Sequence, residues 1–355
     1  MKGPRADPYA GVGASGDGGL GLGPVGDAPG DGLGAMGELL REIVFPALRV
    51  TGEAEDAATV DVSGLKQALT TDVFSVDPLI FPGGDIGQLA VCGVINDLAA
   101  SGARAEFLTV GLLMSASLDR GVLSRVLTSF GDQAADAGCR VVCGDTKVHQ
   151  APQPELIITV TALGTPFGSR SYPLTATRPG DLIGVTGPLG SHSIAVLSER
   201  EGLGFERITS SDVAPLIGPV EAVTKGVPIQ SLRDLTRGGL IATLWDGARA
   251  AGGRWHIEEA RVPVEQPVRA ATELLGLDPL LLTNEGTLLF TVDPAHADEA
   301  VRILAGFPAT AGTRIVGEVS AAQGGTPEPA VTMLTVAGQV KAVHYPHALG
   351  VPRLC

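Results

Sequence analysis

The sequence predicts a two-domain α/β protein, with α+β character in its first half and extended segments at both ends. Three observations predict it. Strand-sized apolar runs alternate with segments of helical period, and a Ser-, Thr-, Pro- and Arg-rich connection from Thr165 to Pro179 divides them into two series. Both ends of the chain are rich in Gly or Pro. The expected organisation is a Gly-rich flexible tail over 1–34, an N-terminal domain over 35–168, a C-terminal α/β domain over 169–340, and a flexible tail over 341–355 that carries Cys355.

The elements follow in order. From Met1 to Gly34 no apolar period exists, and Glu38 to Phe45 then places its apolar residues on one helical face before Pro46. Leu69 to Val76 reads as a strand, closed by Asp77-Pro78 and the turn Pro82-Gly83-Gly84-Asp85. Ile86 to Ala100 and Gly121 to Ala137 have helical spacing. Phe107 to Met114, Arg140 to Val142 and Leu156 to Leu163 read as buried strands. The second series opens with the strand and Gly-rich loop Asp181 to Gly190 and a helix from His192 to Glu199. Leu240 to Ala251 and Ala295 to Leu304 are expected helices; Leu288 to Val292, Thr313 to Val319 and Val331 to Val336 are expected strands.

Composition excludes several classes. With 39 acidic and 25 basic side chains the formal charge is −14, which repels nucleic acid. Hydrophobic residues at 44% against 18% charged exclude global disorder. The apolar run Leu156 to Val160 is strand-sized, far short of the roughly 18 to 20 residues of a membrane span. No secretory signal pattern opens the chain, so a cytoplasmic protein is expected. Four cysteines, Cys92, Cys139, Cys143 and Cys355, are too few and scattered for a disulfide scaffold.

Three segments put a carboxylate at a strand end or in a short polar interruption: Thr70-Thr71-Asp72, Asn96-Asp97 and Gly144-Asp145-Thr146-Lys147. Such carboxylates suit Mg²⁺ bridged to substrate phosphates, but Asp taken singly more often caps a helix or turn. Pro29-Gly30-Asp31-Gly32-Leu33-Gly34 offers Gly30 and Gly32 backbone N–H groups to phosphate, but matches neither the P-loop nor the Rossmann pattern. Asp234-Leu235-Thr236-Arg237-Gly238-Gly239 sets a guanidinium beside two glycines, suited to gripping phosphate or to a structural salt bridge. His192 and Asn284-Glu285-Gly286 have the look of loop polar residues. Cys139 and Cys143 read as packed thiols, and His149 as structural. Cys355, on a Pro- and Gly-containing end, is free to reach an active site or another protein, although the adjacent terminal carboxylate raises its thiol pKa.

Taken together, the chain after about residue 29 resembles the hydrogenase maturation factor HypE family, ATP-dependent carbamoyl dehydratases of the aminoimidazole ribonucleotide synthetase-like superfamily. The resemblance rests on Asp77-Pro78-Leu79-Ile80-Phe81-Pro82-Gly83-Gly84-Asp85-Ile86-Gly87, Cys92-Gly93 with Asn96-Asp97, Gly144 to Val148, Asp234 to Gly239, Asn284-Glu285-Gly286 and the ending Pro352-Arg353-Leu354-Cys355. It implies a two-domain aminoimidazole ribonucleotide synthetase-like fold, whose N-terminal halves pair in a homodimer and contribute the ATP site. It implies Cys355 as a covalent carrier, carbamoylated by a HypF-like carbamoyltransferase. ATP-driven dehydration then yields an S-cyanide for an iron-carrying HypC–HypD complex.

By the same resemblance, Lys147 and Glu285 act on the thiocarboxamide. Asp72, Asp97 and Asp145 contact Mg²⁺, and Asp72, Asn96, Asp145, Arg237, Gly30 and Gly32 contact ATP. One loop and two single positions depart from the family pattern. Pro29 to Leu33 stands where a His-Gly-Ser-Gly-Gly loop is usual, Val73 where Ser follows the Asp, and Ser191 where His192 has an acidic neighbour. Two other readings stand beside this one: another ATP-using enzyme of the superfamily, and a scaffold protein with weakened catalysis.

Overall fold

The computed structural model describes residue 47 and residues 56–168, 170–205, 209–321 and 330–345. The expected first helix from Glu38 to Phe45, the Gly30–Gly32 loop and Cys355 lie outside them.

The N-terminal unit is built on a five-stranded sheet in the order β1-β2-β7-β5-β6, with β1 Ala58–Val62, β2 Leu65–Phe74, β5 Ala103–Ser115, β6 Arg140–His149 and β7 Leu156–Pro166. A small hairpin of β3 Ile80–Phe81 and β4 Gly84–Asp85 leads into helix α1, Ile86–Ala100. Asp85 caps α1, accepting from Gly87 N at 2.9 Å and Gln88 N at 3.1 Å, so the Pro-Gly-Gly-Asp turn is also a helix start. Asp119 caps α2, Arg120–Asp136, in the same way.

Period-two alternation sets which face is covered. Along β7, Leu156, Ile158, Val160 and Ala162 are buried beneath the helices, while the intervening residues face the other way. Gly93 brings α1 onto this sheet, because a Cβ there would meet the Phe74 ring at 2.6 Å. The opposite face is open, and Val60, Val62, Leu65, Leu69, Val73 and Leu113 stand exposed on it. Strand β6 corrects the expectation of a buried strand at Arg140 to Val142. It is an edge strand exposed almost throughout, and Cys143 is exposed with it while Cys139 is buried.

The C-terminal unit holds a seven-stranded sheet in the order β14-β13-β10-β12-β8-β11-β9. Its strands are β8 Leu182–Val185, β9 Ser231–Asp234, β10 Arg254–Glu258, β11 Leu288–Val292, β12 Arg314–Ser320, β13 Ala330–Leu334 and β14 Val340–Ala342. The helices are α3 Ser191–Glu201, α4 Ile217–Gly226, α5 Gly239–Ala251, α6 Gln266–Leu275 and α7 Ala297–Leu304. Trp255, Phe290, Ile183 and Leu189 are fully buried between sheet and helices. Gly184 leaves room for Phe290, whose ring would strike a Cβ there.

Residues 341–345, expected in the C-terminal tail, are paired and packed. β14 pairs with β13, and Val343 N donates to Val331 O at 2.9 Å. Trp245 Nε1 donates to Val343 O at 3.1 Å, and the Arg249 guanidinium lies 4.1 Å from the Tyr345 ring centroid. The chain is therefore pinned to α5 as far as Tyr345.

Candidate active site at the domain junction

The two units meet where α1 runs past β9 and the loop entering β11. Asn96 spans the junction: its Nδ2 donates to Ala214 O at 3.0 Å and Glu285 O at 3.2 Å, and its Oδ1 accepts from Leu216 N at 2.8 Å. Asn96, expected to contact nucleotide, has this structural role within the chain. Its amide is taken up by backbone partners, so it locks the domains together.

One helical position on, Asp97 is buried and accepts from Thr70 Oγ1 at 2.9 Å. Thr70 and Asp72 share the helix-facing side of β2, which turns Asp72 toward Asp97. Burial, with like charge from Asp234, Asp72 and Asp56, holds the Asp97 carboxyl well above the usual range. Asp234, at the end of β9, is raised chiefly by burial, against the pull of neighbouring Arg233. Arg233 in turn pairs with Asp56 at 2.7 Å. Repelling carboxylates in a poorly hydrated place have a net affinity for protons or for a cation.

Glu285 lies beside this group and is raised well above the usual carboxylate range, first by burial and then by Asp212, Asp234 and Asp72. A water-sized cavity of about 10 Å³ is lined by Gly93, Asn96, Asp234, Thr236, Asn284 and Glu285. Asn284 is a staple: it accepts from Gly190 N at 2.7 Å and donates to Leu235 O and Leu282 O at 3.1 and 2.9 Å. Cys92, buried in α1, has its thiol pushed up by burial and by Glu285, and is not a reactive thiolate.

Arg237 is exposed at the rim. The turn after it needs glycine: Gly238 and Gly239 have φ of 79° and 57°, and a Cβ on Gly239 would meet Leu282 O at 2.6 Å. The guanidinium and the N-terminal N–H groups of α5 therefore lie together, an arrangement that favours anions.

Asp145 and Lys147 are not brought to this place within one chain. Register pairs Asp145 with Gly111, Gly111 with Thr159 and Thr159 with Val73, and Lys147 with Leu113. All lie on the open face, opposite Asp72, and the β6 edge is three strand spacings, about 14 Å, from β2. Among the described residues, no group of three or more His, Cys, Asp or Glu is arranged to hold a metal. The Asp72, Asp97 and Asp145 set is thus unassembled within one chain.

His192 is buried, with Nδ1 2.8 Å from Ser211 Oγ and its ring edge-on to Phe81 at 5.3 Å; burial pulls its pKa down to about 3. It is a neutral core residue at ordinary pH. Asp212 had no signal in the sequence, since it is a lone acidic residue outside any patterned motif, and Asp56 closes the short acidic run Glu53-Ala54-Glu55-Asp56, which matches no site pattern.

Residues 54–165 match the model of the AIR synthase related protein N-terminal domain, and residues 178–328 match that of its C-terminal domain. The carbamoyl dehydratase HypE of Azotobacter vinelandii is 38% identical over 330 residues, covering 92% of this chain and 96% of that one. The chain belongs to the HypE carbamoyl dehydratase family. A crystal structure of the hydrogenase maturation protein HypE in complex with ATP superposes with a TM-score of 0.78 at 36% identity, covering 91% of this chain and 98% of that one. HypE in a HypE–HypF complex gives a TM-score of 0.78 at 34% identity, covering 86% and 99%. Membership makes the chain a hydrogenase maturation enzyme of mixed α/β fold. Among the described residues no helix is long and apolar enough to cross a membrane.

Proposed function

We propose that the protein dehydrates an S-carboxamide on Cys355 to an S-cyanide at the expense of ATP, supplying the cyanide ligand of the NiFe-hydrogenase iron centre. The observation that carries this reading is a buried Glu285 carboxyl at the domain junction, beside an Arg237 rim, in a chain of this family. The HypE structure with ATP supports a nucleotide site, and the HypE–HypF complex supports a HypF-like carbamoyltransferase as the donor of the carbamoyl group. An iron-carrying HypC–HypD complex would take the product in the cytoplasm.

The carboxamide oxygen takes the γ-phosphoryl group as ADP leaves, then departs as phosphate while two N–H protons leave the nitrogen. Glu285, whose proton affinity is raised by burial and by neighbouring carboxylates, is suited to accept one of them. Arg237 and the N-terminus of α5 would hold phosphate, together with Gly30 and Gly32.

Mg²⁺ fits buried Asp97 with half-buried Asp72, because a cation relieves their mutual repulsion and needs no full protein cage when phosphates complete its shell. When bound, it supplies neutralisation of phosphate charge. Asp97→Asn is expected to weaken Mg·ATP binding at least about tenfold by calorimetry. An unchanged affinity removes Asp97 from the site.

A homodimer accounts for the open sheet face. Val73 is 67% exposed and Leu65 66%, a patch of a kind that marks an interface. Two copies packed through it would also carry Asp145 and Lys147 into the contact. Val73→Asp sets two charges against the symmetric partner and is expected to give monomers by light scattering; a dimer of unchanged affinity argues against this face.

The overall test is intact-mass measurement after incubation with a carbamoyltransferase, carbamoyl donor and ATP. A carbamoyl adduct followed by a species one water lighter is expected, and the absence of both turns the reading toward a scaffold role.

A further inference from the structure

We infer that Asp212 is a positioning residue that sets the Glu285 side chain through its backbone. The Asp212 carboxylate accepts from Glu285 N at 3.2 and 3.3 Å, from Gly286 N at 3.0 Å and from Thr287 Oγ1 at 3.2 Å. Asn96 Nδ2 reaches Glu285 O at 3.2 Å from the N-terminal unit. Both polar groups of the Glu285 backbone are thus held by side chains from other parts of the chain, leaving its φ and ψ little freedom. Gly286 makes the close approach possible, since a Cβ there would run into the Asp212 carbonyl.

The clasp is itself anchored. Ser211 N donates to Pro82 O at 2.8 Å, and Ser211 Oγ accepts from Val213 N at 3.1 Å while contacting His192 Nδ1. On the far side, Asn96 binds Ala214 O and Leu216 N. Asp212 therefore stands in a short segment fixed at both ends, and its own burial strengthens each N–H bond it accepts. This role rests on the proposal that Glu285 serves the dehydration step.

Misplacement of a reacting group by about 1 Å costs on the order of 100-fold, so Asp212→Ala is expected to slow conversion of S-carboxamide to S-cyanide about 100-fold. Carbamoylation and the Mg·ATP dissociation constant should stay within about threefold of the parent, because neither uses Glu285. Asp212→Asn retains one acceptor oxygen but turns an N–H toward Glu285 N–H, and should fall between the two. In a Glu285→Gln background Asp212→Ala should cost nothing further. Thr287→Val, near-isosteric and lacking one donor, should show a smaller loss that vanishes in the same background, and it serves where Asp212→Ala does not fold. A parental rate in Asp212→Ala, a loss additive with Glu285→Gln, or an equal loss in ATP binding would overturn the inference. If the parent itself forms no S-cyanide, the dehydratase reading fails separately. Amide exchange at Glu285 and Gly286 then decides the clasp, with faster exchange in Asp212→Asn supporting it and unchanged exchange refuting it.

Discussion

Cys355→Ala is expected to abolish both the carbamoyl adduct and its cyanated successor. The other cysteines are poor substitutes. Cys92 is buried with its thiol pushed up, Cys139 is buried and pushed up to about 11, and Cys143 lies on the open face of β6, away from Glu285. Reach favours Cys355. Trp245 and Arg249, which hold the chain near Tyr345, lie six and ten residues into α5, about 9 and 15 Å along the helix from the Arg237–Gly239 turn. Ten residues separate Tyr345 from Cys355, and ten extended residues span about 33 to 36 Å. The tether therefore outreaches the distance from its anchor to the rim of the site. Peptide mapping by mass spectrometry checks the result, and the melting temperature should be unchanged because terminal residues contribute little to domain cores. An adduct on Cys92, Cys139 or Cys143, or undiminished S-cyanide in Cys355→Ala, sinks the carrier assignment.

Much of the architecture was legible because its signals are local. Asp85 announces α1 by turn chemistry and capping, and the β7 alternation names its own buried face. Helices α4 and α6 went unread: each has a proline in its first turn, Pro219 and Pro267, which in sequence resembles a break. Val141 and Val142 were apolar enough for a buried strand, yet β6 is an edge. Apolar content alone does not distinguish a core from a surface that a second copy would cover.

The site was legible as a set of residue types and not as a geometry. Asp72, Asp97, Arg237 and Glu285 were singled out from short motifs, and the structure brings them to one junction. That Asp72 and Asp145 face opposite sides of one sheet depends on register across four strands, which no single segment encodes. Asp212 was invisible for a related reason: its partners stand 73 to 75 residues further along the chain.

Glu285→Gln and Lys147→Ala are each expected to let the carbamoyl adduct form and to slow its dehydration by about 10²- to 10⁴-fold, the contribution of a positioned proton-transfer group. Glutamine keeps the shape and the clasped backbone of Glu285 while removing the group that takes up the proton. Alanine at Lys147 removes a cation that the register places on the open sheet face, remote from Glu285 of the same chain. The two losses then have different origins, and mixing the variants distinguishes them. If each site joins Glu285 of one chain to Lys147 of its partner, a heterodimer of the two variants contains one intact site and one doubly defective site. An equimolar, re-equilibrated mixture would recover about a quarter of the parental rate, since half the dimers are mixed and each has one working site of two. Single-turnover conversion of carbamoylated protein, followed by intact mass, measures it. No recovery in a mixture shown to exchange subunits would mean that Lys147 and Glu285 serve one chain's site, which requires β6 to move relative to the junction, or that the open face is not where the copies meet.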